Sequence, residues 1–228
     1  MKVYEDDDVL VVNKPGNLAC HSSDRETLVD RLRAAGIITP RLVNRLDRET
    51  SGLVIVAKNE RAGKILGKQV LRREIDKEYL AICCGAIQQE TGVIDQPIAV
   101  NSTGVVYTKR IIAPAGKPSL TEFAVQQRLP GFSVVRLMPK TGRAHQLRVH
   151  LAWLGHPIVG DKIYGPDERL YIEFIAHGVT DAMLQQLLLP RHALHASAVT
   201  FRHPVTQLPV TCRAELPADM ARFIAERT

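Results

Sequence analysis

Asp47 is the carboxylate whose neighbours offer the most chemistry. In "VNRLDRETSGLVIVAK" (43–58) it lies between Arg45 and Arg48, ahead of Thr50, Ser51, Gly52 and a branched apolar run. Two uses are open to such a group. It can be a turn residue whose charge is satisfied locally, or a carboxylate kept ionised to stabilise or attack an electron-deficient carbon. Thr50 and Ser51 shape the turn into the following strand and offer hydrogen bonds to Asp47. A second stretch, "TGRAHQLRVHLAWLGHPIVGDKIYG" (141–165), carries Arg143 just before an expected helix and Arg148 inside it. An arginine close to a partly buried carboxylate favours its ionised form and fixes its direction by paired hydrogen bonds. Tyr79, in "KEYLAI", has a ring on which a base can stack and a phenol at its tip, though a strand aromatic in a core looks the same.

Other chemistries find less support. His145 and His150 are five apart, so they do not share a helix face as a helical zinc pair would, and no cysteine or carboxylate completes a set with His192 and His195. These read as structural histidines, and no metal site is expected. The chain contains no GxxxxGK[ST] loop, no GxGxxG fingerprint and no GxSxG elbow. Cys20, Cys83, Cys84 and Cys212 form no Cys-x-x-Cys pair and read as reduced core thiols of a cytoplasmic protein. The acidic start, MKVYEDDDVL, lacks the pattern of a signal peptide, and no apolar run is long enough to span a bilayer.

The net charge of +6 favours a polyanionic partner. Between Glu122 and Asp161 no acidic residue occurs, while Arg128, Arg136, Lys140, Arg143 and Arg148 lie inside that stretch. It reads either as a solvated surface or as an electropositive groove for phosphates. Together with Tyr79 and Asp47, it suggests a nucleic-acid site with one essential carboxylate and no metal.

The elements that must position these residues are mostly short β runs. Strands are expected at 8–15, 51–58, 78–85, 121–128, 132–139, 195–201 and 208–214, with Pro130-Gly131 turning one into an antiparallel neighbour. Asn59 reads as the N-cap of a helix over 60–73, with Ala62, Ile65, Leu66 and Val70 on one face. Leu147, His150, Leu151 and Leu154 give a second helix, stopped by Gly155 and Pro157, and 167–189 reads as a third helical stretch interrupted at Gly178. Clustered strands with inserted helices make this an α+β chain. At 228 residues, with 45% hydrophobic and 24% charged residues, it is expected to be globular and is read as one domain over 1–228.

Taken in order, these motifs resemble the RluA-type family of RNA pseudouridine synthases, nearly end to end. "VYEDDDVLVVNKPGNLACH" (3–21) resembles the family's opening strand and Lys-Pro turn. "NRLDRETSGLVIVAKN" resembles the signature around its catalytic aspartate, and "DKEYLAICCG" its tyrosine strand. "GKPSLTEF" (116–123), the arginine-bearing 141–165 stretch and "ALHASAVTFRHPVT" (193–206) complete the series. Asn44 stands where the signature usually has histidine, and residues 166–190 match least well. The resemblance implies a pseudouridine synthase catalytic fold, a long mostly antiparallel sheet with flanking helices and a central RNA cleft. It implies an isomerase acting on uridine in rRNA or tRNA, with no cofactor and no metal, working as a monomer. Asp47 would be the catalytic carboxylate, Arg148 its arginine partner and Tyr79 the ring stacked on a flipped uracil. Arg45 would fill the gap left by the base, while Arg48, Arg143 and Lys140 would contact RNA. Many members carry a small N-terminal RNA-binding domain absent from these residues, so recognition is expected from the catalytic domain or from structure in the RNA.

Overall fold

The computed structural model describes residues 1–22 and 24–228. Along the chain run β1 (Lys2–Glu5), β2 (Val9–Lys14), α1 (Leu28–Ala34), β3 (Arg41–Leu42), β4 (Ser51–Ala57) and α2 (Glu60–Arg72). β5 (Asp76–Cys84), β6 (Thr91–Asp95), β7 (Ile98–Val100), β8 (Arg110–Ile112), β9 (Leu120–Leu129) and β10 (Phe132–Pro139) follow. The last third holds α3 (Gln146–Trp153), α4 (Arg169–His177), α5 (Asp181–Leu187), β11 (Leu194–Arg202), β12 (Pro209–Arg213) and α6 (Ala218–Ala225). The fold is α+β with mostly antiparallel pairing, as the strand clusters predict. Two compact units divide the chain, Met1–Tyr79 with His195–Pro217, and Leu80–Leu194 with Ala218–Thr228. Among the described residues no helix is long and apolar enough to cross a membrane.

In the first unit the strand order is β1-β2-β4-β11-β5, with β3 also on β4 and β12 on β11. All seven residues of β4 are buried, so both faces of this strand are covered. Leu53, Ile55 and Ala57 alternate onto one face and pack with Val9, Val11, Ala62, Leu66, Val199 and Phe201. Burying the valine, leucine, isoleucine and phenylalanine side chains among them contributes about 1.5–3 kcal/mol each. β4 and β11 pair in parallel, His195 opposite Ser51 and Ala196 opposite Gly52. At this pairing the backbones come close: a Cβ on Gly52 would lie 2.3 Å from the Ala196 carbonyl oxygen, and Gly52 has φ +113°. The Thr-Ser-Gly of the signature therefore ends in the residue that lets β11 sit against β4.

Asn59 caps α2 as expected, its side chain accepting from the Ala62 N–H. The buried face of that helix differs from the expectation. Val70 is exposed, and Gln69 is buried instead. Its amide behaves like a piece of strand, Nε2 donating to the Arg202 carbonyl at 2.7 Å and Oε1 accepting from the Arg202 N–H at 3.0 Å. A side-chain amide that satisfies two backbone groups is worth more there than a valine that would leave both unpaired.

In the second unit β5, β10, β9 and β6 lie in that order, and β7 pairs with β8 as a separate two-stranded sheet. β9 and β10 are antiparallel through the Pro130-Gly131 turn, where Gly131 has φ +76°. The stretch 167–189 forms two helices, α4 and α5, broken at Gly178 with φ +73°.

Gly52→Ala should destabilise the protein by at least about 3 kcal/mol, because the new Cβ meets backbone and the φ is strained. Thermal unfolding measures this, and a melting temperature equal to wild type would refute the close-approach account.

Candidate active site

Asp47 sits on the connection from β3 to β4, and almost every residue of that connection is anchored. The Val43 N–H donates to the Ile55 carbonyl at 2.8 Å. Asn44 spans the strand edge, Nδ2 donating to the Leu53 carbonyl at 3.2 Å and Oδ1 accepting from the Ile55 N–H at 2.8 Å. The asparagine at the usual histidine position thus extends the β3–β4 pairing through its side chain. Leu46 is buried, with its N–H 3.5 Å from Cys20 Sγ. The Thr50 N–H donates back to the Asp47 carbonyl at 3.1 Å, closing a tight turn around the carboxylate. Lys14, fully buried at the end of β2, donates to the carbonyls of Pro15, Leu18 and Arg48 at 3.0, 2.8 and 3.2 Å. Ser51 was expected to help hold Asp47, but its Oγ lies 2.9 Å from Nδ1 of the buried His195. That contact fixes β11 beside the start of β4.

The side chains on this connection differ in exposure. Asp47 is half-buried and Arg45 is exposed. Among the described residues Arg45 makes no hydrogen bond or ion pair, which leaves its guanidinium available to a ligand. Arg48 is half-buried, with its backbone carbonyl taken by Lys14. Tyr79, in the part of β5 that belongs to this unit, is 9% exposed. Burial pushes its phenol pKa up, and the negative charge of Asp47 raises it further. The Asp47 charge is thus felt at the phenol, which stays protonated.

In the second unit the arginine-bearing stretch forms α3, with Arg143 before it and Arg148 within it as expected. Residue His145, at φ 58°, provides no side-chain cap. The Gln146 side chain instead ties the helix entry to the preceding loop and β9, accepting from the Thr141 hydroxyl and the Arg143 N–H and donating to the Leu120 carbonyl and Thr121 hydroxyl, at 2.8–3.0 Å. Arg148, 5% exposed, makes a two-pronged pair with the fully buried Asp161 at 2.6 and 2.8 Å. Burial alone would raise the Asp161 pKa. The Arg148 charge and hydrogen bonds outweigh that, and the carboxyl is held well below the usual range. The Ile163 and Tyr164 N–H groups also bond Asp161 Oδ1, and the Arg148 guanidinium lies over the Tyr164 ring at 5.1 Å.

Sequence reasoning did not single out Asp161, although it stands inside the quoted motif. The Gly160 before it is one signal, since a Cβ there would lie 2.1 Å from the Arg191 carbonyl oxygen. The acid-free sequence stretch is also less electropositive in space than in line. Arg128 pairs with Glu90, Lys140 with Glu122 at 2.9 Å, and Arg148 with Asp161. The Arg143 guanidinium reaches the Pro118 carbonyl at 3.4 Å and forms no ion pair among the described residues.

Among the described residues one group has metal-ligand composition, Asp6, Asp8 and His203 in the first unit. His203 Nδ1 accepts from the Val205 and Thr206 N–H groups, so Nε2 carries the proton and donates to Asp6 at 2.8 Å. Asp8 accepts from the Asn59 amide at 2.7 Å. These atoms serve one another and do not present a ligand set.

Residues 8–153 match the family model described as RNA pseudouridylate synthase. The chain is 36% identical over 231 residues to ribosomal large subunit pseudouridine synthase D of Haemophilus ducreyi, covering 97% of this chain and 69% of the relative. It is 36% identical over 232 residues to an RNA pseudouridine synthase of Bacillus subtilis, covering 97% and 70%. Among solved structures, human RNA pseudouridylate synthase domain containing 1 superimposes with a TM-score of 0.75 at 29% identity, over 99% of this chain and 93% of that one. The human domain containing 4 protein shares the fold at a TM-score of 0.78 and 23% identity, over 98% and 91%.

Asp161→Asn keeps the shape of the carboxylate and removes its charge. Breaking a buried pair in this way should cost about 3 kcal/mol in chemical denaturation. Wild-type stability in that variant would show that the pair does not hold α3 in place.

Proposed function

The chain belongs to the RNA pseudouridylate synthase family and is an isomerase acting on uridine in RNA; we propose that its substrate is ribosomal RNA and that Asp47 is its catalytic carboxylate. The reaction breaks the N1–C1′ bond of a uridine within the strand, turns the freed uracil and joins C5 to C1′. The hydrogen on C5 leaves as a proton and N1 gains one, so nothing is oxidised or reduced and no group enters. The work for the protein is a carboxylate beside the sugar, a surface that retains the loose base and a means of extracting the nucleotide.

The observation that carries this reading is the half-buried Asp47 on a connection fixed from both sides, close enough to load the Tyr79 phenol electrostatically. A carboxylate at such a position serves an electron-deficient sugar carbon as carboxylates do in glycoside hydrolysis. Tyr79 stacks on the flipped uracil, and its protonated phenol stands ready at the base edge. Extraction costs a few kcal/mol, and one aromatic stack returns about 1–3 kcal/mol. Arg45, exposed and without a partner among the described residues, supplies the remainder by occupying the vacated gap. Arg48, Arg143 and Lys140 contact the RNA backbone, and Arg148, held rigid by Asp161, serves the same reaction. The reading takes residues 1–228 as one catalytic domain that needs no cofactor or metal and works as a monomer in the cytoplasm. The large-subunit RNA named for the Haemophilus relative supports ribosomal over transfer RNA as substrate.

Tritium release from RNA labelled at uridine C5 tests both parts. Wild type should release label from unmodified large-subunit rRNA fragments, with RNA mass unchanged, and Asp47→Ala should release none while still binding RNA. Release from bulk tRNA alone would overturn the substrate assignment, and turnover by Asp47→Ala would overturn the catalytic one. Tyr79→Phe should bind RNA like wild type and react about 10²-fold more slowly in single-turnover assays. An unchanged rate would reduce Tyr79 to a stacking surface.

A further inference from the structure

Lys77 is a lysine with no hydrogen-bond or ion-pair partner among the described residues. It lies on β5 two residues before Tyr79, so the two side chains leave the same face of the strand. On that face Tyr79 is buried and Lys77 is half-buried, while Asp76 leaves the opposite face and is exposed. Lys77 is thus the half-buried neighbour of the tyrosine on its own strand face. Among the described residues it makes no hydrogen bond and no ion pair. Burial lowers its pKa, against the pull of the neighbouring Asp76 charge.

A partly desolvated ammonium with no hydrogen-bonded counter-charge is an expense to the folded protein. Other lysines in this unit avoid it. Lys14 is buried against three carbonyls, Lys58 pairs with Glu5 at 3.0 Å, and Lys64 pairs with Glu60 at 2.8 Å on an exposed helix face. An unmatched ammonium beside a candidate base-stacking ring calls for an anion that arrives with the substrate. RNA brings one formal charge per nucleotide, on the phosphodiester. A uracil carbonyl is neutral and would leave the charge unbalanced.

We propose that Lys77 binds a phosphodiester oxygen of the nucleotide whose base stacks on Tyr79. The inference rests on the proposed role of Tyr79. The strand spaces the two side chains by about 7 Å, so a nucleotide can place its base on one and its phosphate on the other. Lys77 is then a binding residue that fixes the backbone of the extracted nucleotide. Its cost in the free protein is recovered when the phosphate arrives.

The test compares wild type with Lys77→Met, Lys77→Arg and, as a control for general loss of charge, Lys68→Met on the exposed side of α2. The probe is an unmodified large-subunit rRNA fragment, with dissociation constants measured across a range of salt concentrations and product formation followed alongside. Lys77→Met should bind about tenfold more weakly at low salt. Its salt slope should fall by about 0.7–0.9, the value of one phosphate contact. Its melting temperature should equal or exceed that of wild type, because an unpaired charge has been removed. Lys77→Arg and Lys68→Met should keep the wild-type slope. An unchanged slope in Lys77→Met overturns the inference, as does an equal drop in Lys68→Met. Failure of the functional reading is distinct from both, and appears as RNA bound by wild type with no pseudouridine formed. Absence of RNA binding by wild type would overturn both together.

Discussion

A lysine ammonium with no exposed surface ties the candidate site together. Lys14 ends β2, turns its charge inward and holds the carbonyls of Pro15, Leu18 and Arg48. Taking a bare ammonium out of water costs several kcal/mol, which only well-placed acceptors recover. The geometry is therefore restrictive, because the chain after β2 must turn back and the chain after Asp47 must come to meet it. Arg48 is the residue next to Asp47, so the backbone beside the carboxylate is fixed by a group 34 positions away. The Lys-Pro turn and the aspartate signature, two separate motifs in the sequence, form one mechanical unit in the fold.

The same economy governs the remaining charges. Within the second unit, Arg148 is buried because Asp161 meets it with two oxygens. Asp47 is treated differently, since it is only half-buried and keeps a face toward whatever enters. The strand that follows it is pinned by backbone contact at Gly52 and by the Ser51–His195 hydrogen bond. A rigid, fully buried β4 thus begins four residues after a carboxylate that is not fully buried. That transition from core to open site within one turn suits a group that has to be both fixed and accessible.

Much of this was legible in the sequence, and the losses have physical causes. β2, β4, β5, β9 and β10 were visible because their apolar runs are long and bounded by turn residues, and α2 because Asn59 caps it. β1, β3 and β6–β8 span two to five residues each, too few for a period to show. α1 had a readable start, since Thr27 and Asp30 form a capping box, but it lasts only seven residues. Gln69 was not among the residues expected on the buried face, and it is buried by its amide's match to Arg202, which no local pattern encodes. Asp47 and Tyr79 were found through the order of motifs. Asp161 and the buried state of Lys14 were not, because burial and ion pairing are decided by distant segments. For the same reason the ion pairs of the acid-free stretch were not legible, as Glu90 and Asp161 reach into it from outside.

The central claim is that the carboxylate-bearing connection is set before RNA arrives, and amide hydrogen exchange of the free protein tests it most directly. The Thr50 N–H, bonded to the Asp47 carbonyl, should exchange nearly as slowly as the amides of β4, and Lys14→Met should release it. A Thr50 amide that exchanges freely in wild type, while β4 stays protected, would contradict the account and assign the order of this turn to the bound RNA.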